Sequence, residues 1–200
     1  MKGNIYSYKT EIGYLAIADN GHAITGIDFL VNRLADNCHD TTELDTLANM
    51  PADNGHVITG IDTLANKLAD NDLDIYIKQG YLIKESPLIK EAWGQLYEYF
   101  SGRLFKFDLP LAPSGTDFQQ RVWQALKTIP YGQVKSYKDI AIAIGNKNAA
   151  RAVGMANNKN PIPIIIPCHR VIGANGQLVG YGGGLDIKRY LLDLEGKFKI

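Results

Sequence analysis

The chain has 200 residues, 46% of them hydrophobic, enough for one large domain or two small ones, and this excludes global disorder. No apolar run reaches the roughly 20 residues that cross a bilayer, and Met1-Lys2-Gly3-Asn4-Ile5-Tyr6 lacks the core of a secretion signal, so a soluble, cytoplasmic protein is expected. The formal net charge of zero hides an asymmetry: residues 1–109 carry nine Lys and Arg against sixteen Asp and Glu, a balance of −7, and residues 110–200 carry twelve against five, a balance of +7. Average neutrality argues against a polyanionic partner, whereas the basic second half argues for a local one.

The first thirty residues read as strands. Residues 4–8, 13–18 and 22–27 are β-rich runs, and Asp19-Asn20-Gly21 is a hairpin turn signal. A repeat of period 17 follows. Ala18-Asp19-Asn20, Ala35-Asp36-Asn37, Ala52-Asp53-Asn54 and Ala69-Asp70-Asn71 open successive units, and DNGHAITGID at 19–28 returns as DNGHVITGID at 53–62. The period fits neither the common solenoids nor a heptad coil. It reads as a tandem duplication of one hairpin-and-loop region, spanning about residues 18–71. His22, His39 and His56, with Cys38, invite a zinc site, but three of these four simply recur with the repeat, and the spacing matches no zinc pattern. No metal is expected.

Residues 86–101 have a helical pattern. Ser86 is the N-cap, Pro87 the first helical position, and Leu88, Ala92, Leu96 and Tyr99 share a face. A linker at 109–115 marks a boundary near residue 110, giving an N-terminal domain, 1–109, and a second domain, 110–200. The second domain opens with a helix at about 116–128, with Phe118, Val122, Ala125 and Leu126 inward. Ser136 then caps a helix running to Ile144, and after Gly145-Asn146 another helix covers about 148–157. Helix, short glycine turn, helix fits both a plain αα-hairpin and a DNA-binding helix-turn-helix. The small surface of Ala149, Ala150, Ala152, Gly154 and Ala156, with Arg151 its only charge, favours DNA.

The chemistry concentrates in Asn160-Pro161-Ile162-Pro163-Ile164-Ile165-Ile166-Pro167-Cys168-His169-Arg170. We expect an apolar, proline-stiffened strand that delivers Cys168 with little freedom. Burial alone raises a thiol above about 8.5 and makes it inert, so activation needs a base and a group that orients the base. His169 is the adjacent base. Sequence neighbours do not face each other automatically, so a bridging water or a bent backbone is required. A structural cysteine beside a hydrogen-bonded histidine is the plainer alternative. Downstream, Val179-Gly180-Tyr181-Gly182-Gly183-Gly184 is a glycine loop able to approach a planar ligand. A last helix at about 185–195 turns Ile187, Tyr190, Leu191 and Leu194 inward and ends at Glu195, which could orient His169.

Ile-Pro-Cys-His-Arg-Val at 166–171 resembles the active-site signature of the O6-alkylguanine-DNA alkyltransferases, or methylated-DNA–protein-cysteine methyltransferases. The likeness runs through 117–196, including Phe118-Gln119-Gln120-Arg121-Val122-Trp123, Ile129-Pro130-Tyr131-Gly132 and Ala150-Arg151-Ala152-Val153-Gly154. Residues 1–30 and 86–110 look like the family's N-terminal domain, and 31–73 looks like an insertion of about two repeat units.

The resemblance implies an α+β protein: a ribonuclease H-like α/β domain carrying the repeat insertion, then a mainly helical, winged helix-turn-helix-like domain. It implies Cys168 as the alkyl acceptor, His169 as its base through a water, Glu195 polarising His169, Asn160 bracing the turn, and Tyr137 contacting the base and helping to protonate it. Arg151, with Ala150 and Gly154 on the same helix, would fill the gap left by a flipped nucleotide. Tyr181, Gly182 and Gly183 would cover the base, the carbonyls of Cys168 and Val171 would read its exocyclic amine, and Lys188 would support the leaving O6. The implied partner is double-stranded DNA containing O6-alkylguanine, with O4-alkylthymine a poorer substrate. The protein would be a monomer that uses no cofactor and acts once. Many members carry Ser or Ala where this chain has Gly182, so an altered substrate range is expected. Two rival readings are a lesion binder without chemistry, against which Cys168 argues, and a thiol hydrolase, which would turn over.

Overall fold

The computed structural model describes residues 2–30, 73 and 75–197. Its larger sheet has the order β3-β2-β1-β4, where β1 is Gly3–Thr10, β2 Gly13–Asp19, β3 Ile24–Phe29 and β4 Tyr81–Ile83. The first three strands run antiparallel, and β4 joins β1 in parallel. β2 lies inside the sheet and is covered on both faces. Leu15 and Ile17 enter the main core, while Ala16 and Ala18 enter a smaller cluster with Ile5, Leu30 and Leu73. That split is the two-residue alternation of a strand.

β3 begins at Ile24, two residues later than its sequence pattern predicts. The Asn20 side chain accepts from the N–H groups of His22 and Ala23, which holds 20–23 as a turn. Asp19 does more than start this turn. Its buried carboxylate accepts from Asn4 Nδ2 at 2.9 Å, from the Gly21 N–H at 2.9 Å and from the Ser86 hydroxyl. Burial alone would push this carboxyl up, but the hydrogen bonds prevail and hold it below its ordinary value.

Helix α1, Pro87–Phe100, is capped by Ser86, which accepts from Ile89 N, and it buries Ile89, Ala92, Leu96 and Tyr99. Leu88 is only half-buried; Ile89 takes the inward place. Helix α2, Asp117–Lys127, starts in a reciprocal Thr116–Gln119 capping box. Ser136 and Asp139 make the same arrangement for α3, Tyr137–Ala143. Helix α4, Ala150–Asn158, follows a turn through Gly145, and Trp123 Nε1 of α2 donates to its Ala156 carbonyl at 3.0 Å. Helix α5, Leu185–Lys197, closes the fold. The two-residue strands β5, Lys135–Ser136, and β6, Val171–Ile172, pair in parallel beside α3 and are too short to leave a sequence pattern.

The stretch at 160–167 is not the strand its composition predicts. It is a knot of turns with a single bridge from Pro163 to Ile166, and Ile164 sits at a φ of 72°. Pro161, Pro163 and Pro167 have no N–H to give a ladder, so burial of Ile162, Ile164 and Ile166 stabilises this strained backbone instead.

The linker also lies against the sheet. Ile24 N donates to the Pro110 carbonyl and Ala112 N to the Ile24 carbonyl, and one core joins Leu15 and Leu96 to Val122, Leu126 and Leu191. Among the described residues no helix is long and apolar enough to cross a membrane. The first repeat unit supplies the turn after β2 and β3 itself; Cys38, His39, His56 and the later units lie outside the described residues.

Replacing Asp19 with Ala strands three donors at once. The expected loss is about 1–3 kcal/mol, read as a fall in Tm. Because the folded carboxyl is held low, its contribution is present above the ordinary carboxylate range and is lost as pH falls. The wild-type and Asp19→Ala melting curves should therefore converge on acidification.

Candidate active site

The turns at 160–167 lead into one turn of 3-10 helix, Cys168–Arg170, buried throughout. Cys168 is 5% exposed. Asn160 holds the approach: its Nδ2 donates to the Ile166 carbonyl at 2.8 Å and to Cys168 Sγ at 3.1 Å, and its Oδ1 accepts from Ile162 N at 3.1 Å. Burial pushes the Cys168 thiol up to about 11, although the Asn160 hydrogen bond and the Lys188 charge pull the other way. Cys168 therefore rests as a thiol.

His169 is wholly buried, and its Nε2 lies 2.8 Å from Glu195 Oε1. A carboxylate accepts, so Nε2 carries the proton. Nδ1 is left as an acceptor with no partner among the described residues. Burial keeps the imidazole below its ordinary value, outweighing the opposite pull of Glu195. The ring is thus a neutral base, as proton removal requires.

Glu195, 1% exposed, is the most heavily bonded group of the site. Besides His169 it receives Arg170 through Nε at 2.9 Å and Nη2 at 2.9 Å, the Tyr99 hydroxyl at 2.8 Å, and the Gly132 N–H at 2.9 Å. Gly132 has a φ of 69°, a conformation in which other residues are strained. Burial alone would raise this carboxyl, yet the hydrogen bonds from His169 and Arg170 and the Arg170 charge hold it at about 2. Arg170 also donates to the Ile129 carbonyl at 2.6 Å.

The other expected site residues fall into two groups. Tyr137, Tyr181 and Lys188 surround the thiol. The Tyr137 hydroxyl donates to the Val179 carbonyl at 2.8 Å, and the Tyr181 hydroxyl is buried without a partner among the described residues. Lys188 is fully buried and bonds the carbonyls of Val171 at 2.7 Å and Val179 at 3.0 Å, tying the glycine loop to β6. Gly183 lies under the Phe29 ring, where a Cβ would come within 2.9 Å, whereas Gly182 has open space, with only the Asn158 carbonyl at 4.0 Å. Arg151 is exposed on α4, with Ala150 and Gly154 half-buried; Gly154 lies against the Tyr137 ring.

Sequence reasoning missed Arg170 and Tyr99 as members of the network. Arg170 stood inside the quoted motif, and Tyr99 had been assigned to the core by helical periodicity alone. Phe29 left no signal. A separate cavity of about 980 Å³, lined by Phe105, Phe107, Tyr131 and Pro167 among others, lies beside Arg170 and does not include Cys168. His22 is exposed in its turn, and no cluster of three metal-ligating side chains occurs among the described residues.

The family model for the 6-O-methylguanine DNA methyltransferase DNA-binding domain matches residues 117–197. A methylated-DNA–protein-cysteine methyltransferase of Methanosarcina barkeri is 61% identical over 113 residues, covering 56% of this chain and 72% of that protein. One of the same name from Mycobacterium leprae is 59% identical over 113 residues, covering 56% and 68%. The crystal structure of Mycobacterium tuberculosis OGT in complex with DNA aligns with a TM-score of 0.71 at 38% identity, covering 98% of this chain and 94% of that one. The chain belongs to the methylated-DNA–protein-cysteine methyltransferase family.

Proposed function

We propose that the protein repairs DNA by moving an alkyl group from O6-alkylguanine, and less well from O4-alkylthymine, onto Cys168. The observation that carries this is the chain Cys168–His169–Glu195 in one buried site, with Nδ1 of a neutral imidazole left to accept. His169 takes the thiol proton through a water, and the thiolate attacks the alkyl carbon in line. The C–S bond forms as the O6–C bond breaks, and the proton lost from sulfur is returned to the guanine ring. The thioether has no route back to a thiol, so each molecule acts once, without a cofactor.

The remaining assignments belong to the same reading. Asn160 holds the acceptor turn and favours the thiolate. Tyr137 contacts the flipped base and helps protonate it, releasing Val179 as it does so. The backbone of Tyr181, Gly182 and Gly183 covers the base. Lys188 holds that loop and supports the departing O6 with its charge. The carbonyls of Cys168 and Val171 read the exocyclic amine. Arg151 fills the vacated stack, and the close approach of α4 rests on Ala150 and Gly154. The exposed cations Lys135, Lys138, Lys147, Arg151 and Lys159 on and around α3 and α4 support docking of duplex DNA, which the relative named as a DNA complex also binds.

We read the sheet with α1 as a ribonuclease H-like domain, 1–109, and the rest as a winged helix-turn-helix-like domain, 110–200. All proposed residues come from one chain, which supports action as a monomer.

Incubation with DNA containing O6-methylguanine should add the mass of one methylene to the peptide holding Cys168, and Cys168→Ala should abolish the gain. No mass change in the wild-type peptide would refute the transfer. Arg151→Ala should slow transfer from duplex DNA by roughly ten- to a hundredfold, a cost of the order of unstacking a base, and leave the slow reaction with the free base unchanged.

The pH profile follows from the base. Because His169 is held below its ordinary value, it stays unprotonated as pH falls through about 6.5. The single-turnover rate should therefore persist below that pH before it falls.

A further inference from the structure

We propose that Tyr99, from the N-terminal half, is a positioning residue of the transfer site: its hydroxyl fixes Glu195 so that the proton of His169 stays on Nε2 and Nδ1 is left as the acceptor. This rests on the reading of His169 as the base. Tyr99 is fully buried on α1, and its ring is wedged against Phe100, Phe107 and Tyr131, with centroids 5.6, 5.4 and 6.0 Å away. Packing therefore fixes where the hydroxyl points. It donates to Glu195 Oε1 at 2.8 Å and lies 3.5 Å from His169 Nε2, so it touches both partners of the bond that orients the base.

The chemistry follows from how many donors share one oxygen. Glu195 Oε1 accepts from His169, Tyr99 and Arg170. Each donor draws off some negative charge, and what remains determines how strongly the carboxylate favours an imidazolium. Without the Tyr99 hydroxyl more charge falls on the His169 bond, the ring holds its proton more tightly, and less of it is neutral at a given pH. The opposite tautomer would aim the Nε2 lone pair at the carboxylate and is disfavoured. The groups facing His169 and Glu195 are Tyr99 on α1, Lys188 on α5, Cys168 and Arg170 in the 3-10 turn, Tyr131 in the loop after α2, and Tyr181 in the glycine loop.

The test is single-turnover transfer from DNA containing O6-methylguanine, measured across pH with the full-length chain. Tyr99→Phe keeps the ring and its packing. On the acid limb it should be roughly ten- to a hundredfold slower at a given pH, the worth of a hydrogen bond to a charged group, with that limb moved to higher pH and the rates converging on the alkaline side. Site-specific 3-fluorotyrosine at 99, a stronger donor, should move the acid limb to lower pH. Phe107→Leu loosens the ring packing but keeps the hydroxyl; it should lower Tm and leave the acid limb in place. An unshifted profile for both Tyr99 variants, or an equal shift for Phe107→Leu, overturns the proposal. A wild type that transfers nothing overturns the function itself.

Discussion

An ionised carboxylate taken out of water without partners costs several kcal/mol, about as much as a whole domain's margin of stability. Glu195 is buried to that degree, and the architecture around it supplies the compensation. Arg170 brings a cation and two forked hydrogen bonds, Gly132 brings a backbone N–H from a turn, and Tyr99 brings a hydroxyl from the other half of the chain. Only after these does His169 add its N–H. Because Arg170 already balances the charge, Glu195 orients the imidazole without forcing it to become an imidazolium. That distinction separates a base from a spent acid.

The same burial sets the resting state of the nucleophile. A thiol enclosed at 5% exposure and pushed up to about 11 is a poor target for stray oxidants and electrophiles. For a protein that has one acceptor and uses it once, inertness at rest matters as much as reactivity. Lys188 contributes at a distance, as a buried cation that pulls the thiol down while its hydrogen bonds tie the glycine loop to β6.

Much of this was legible in the sequence because local rules govern the elements. Ser86, Thr116 and Ser136 announce their helices by capping, and Val122, Leu126, Leu191 and Leu194 follow the 3.6-residue period into the core. The reading failed where a non-local partner decides the outcome. Apolar composition made 160–167 look like a strand, but three missing N–H groups and the left-handed Ile164 turn it into a knot. Tyr99 sits at a core position of its helix, and only the fold reveals that its hydroxyl reaches a residue 96 positions away. Arg170 reads from sequence as one more cation in a basic half, yet it is mostly buried and already paired.

The N-terminal half thus touches the site at several points: Tyr99 on Glu195, Phe29 over Gly183 and beside Tyr181, and the Ile27 N–H on the Pro161 carbonyl. Such dependence raises the question of how the repeat block between β3 and β4 is tolerated. Leu30 and Leu73, at its two ends, are buried in the same small cluster with Ile5, Ala16 and Ala18. The described residues that flank the block are therefore anchored at one place. Closing a loop between fixed ends costs only about 0.6 kcal/mol more for each doubling of its length. Lengthening by whole repeat units there leaves the register of β1 with β4 and the position of α1 to be set by contacts outside the block. Tyr99 and Glu195 meet at 2.8 Å because the sheet, through the β1–β4 register, and the helix that follows it hold that distance.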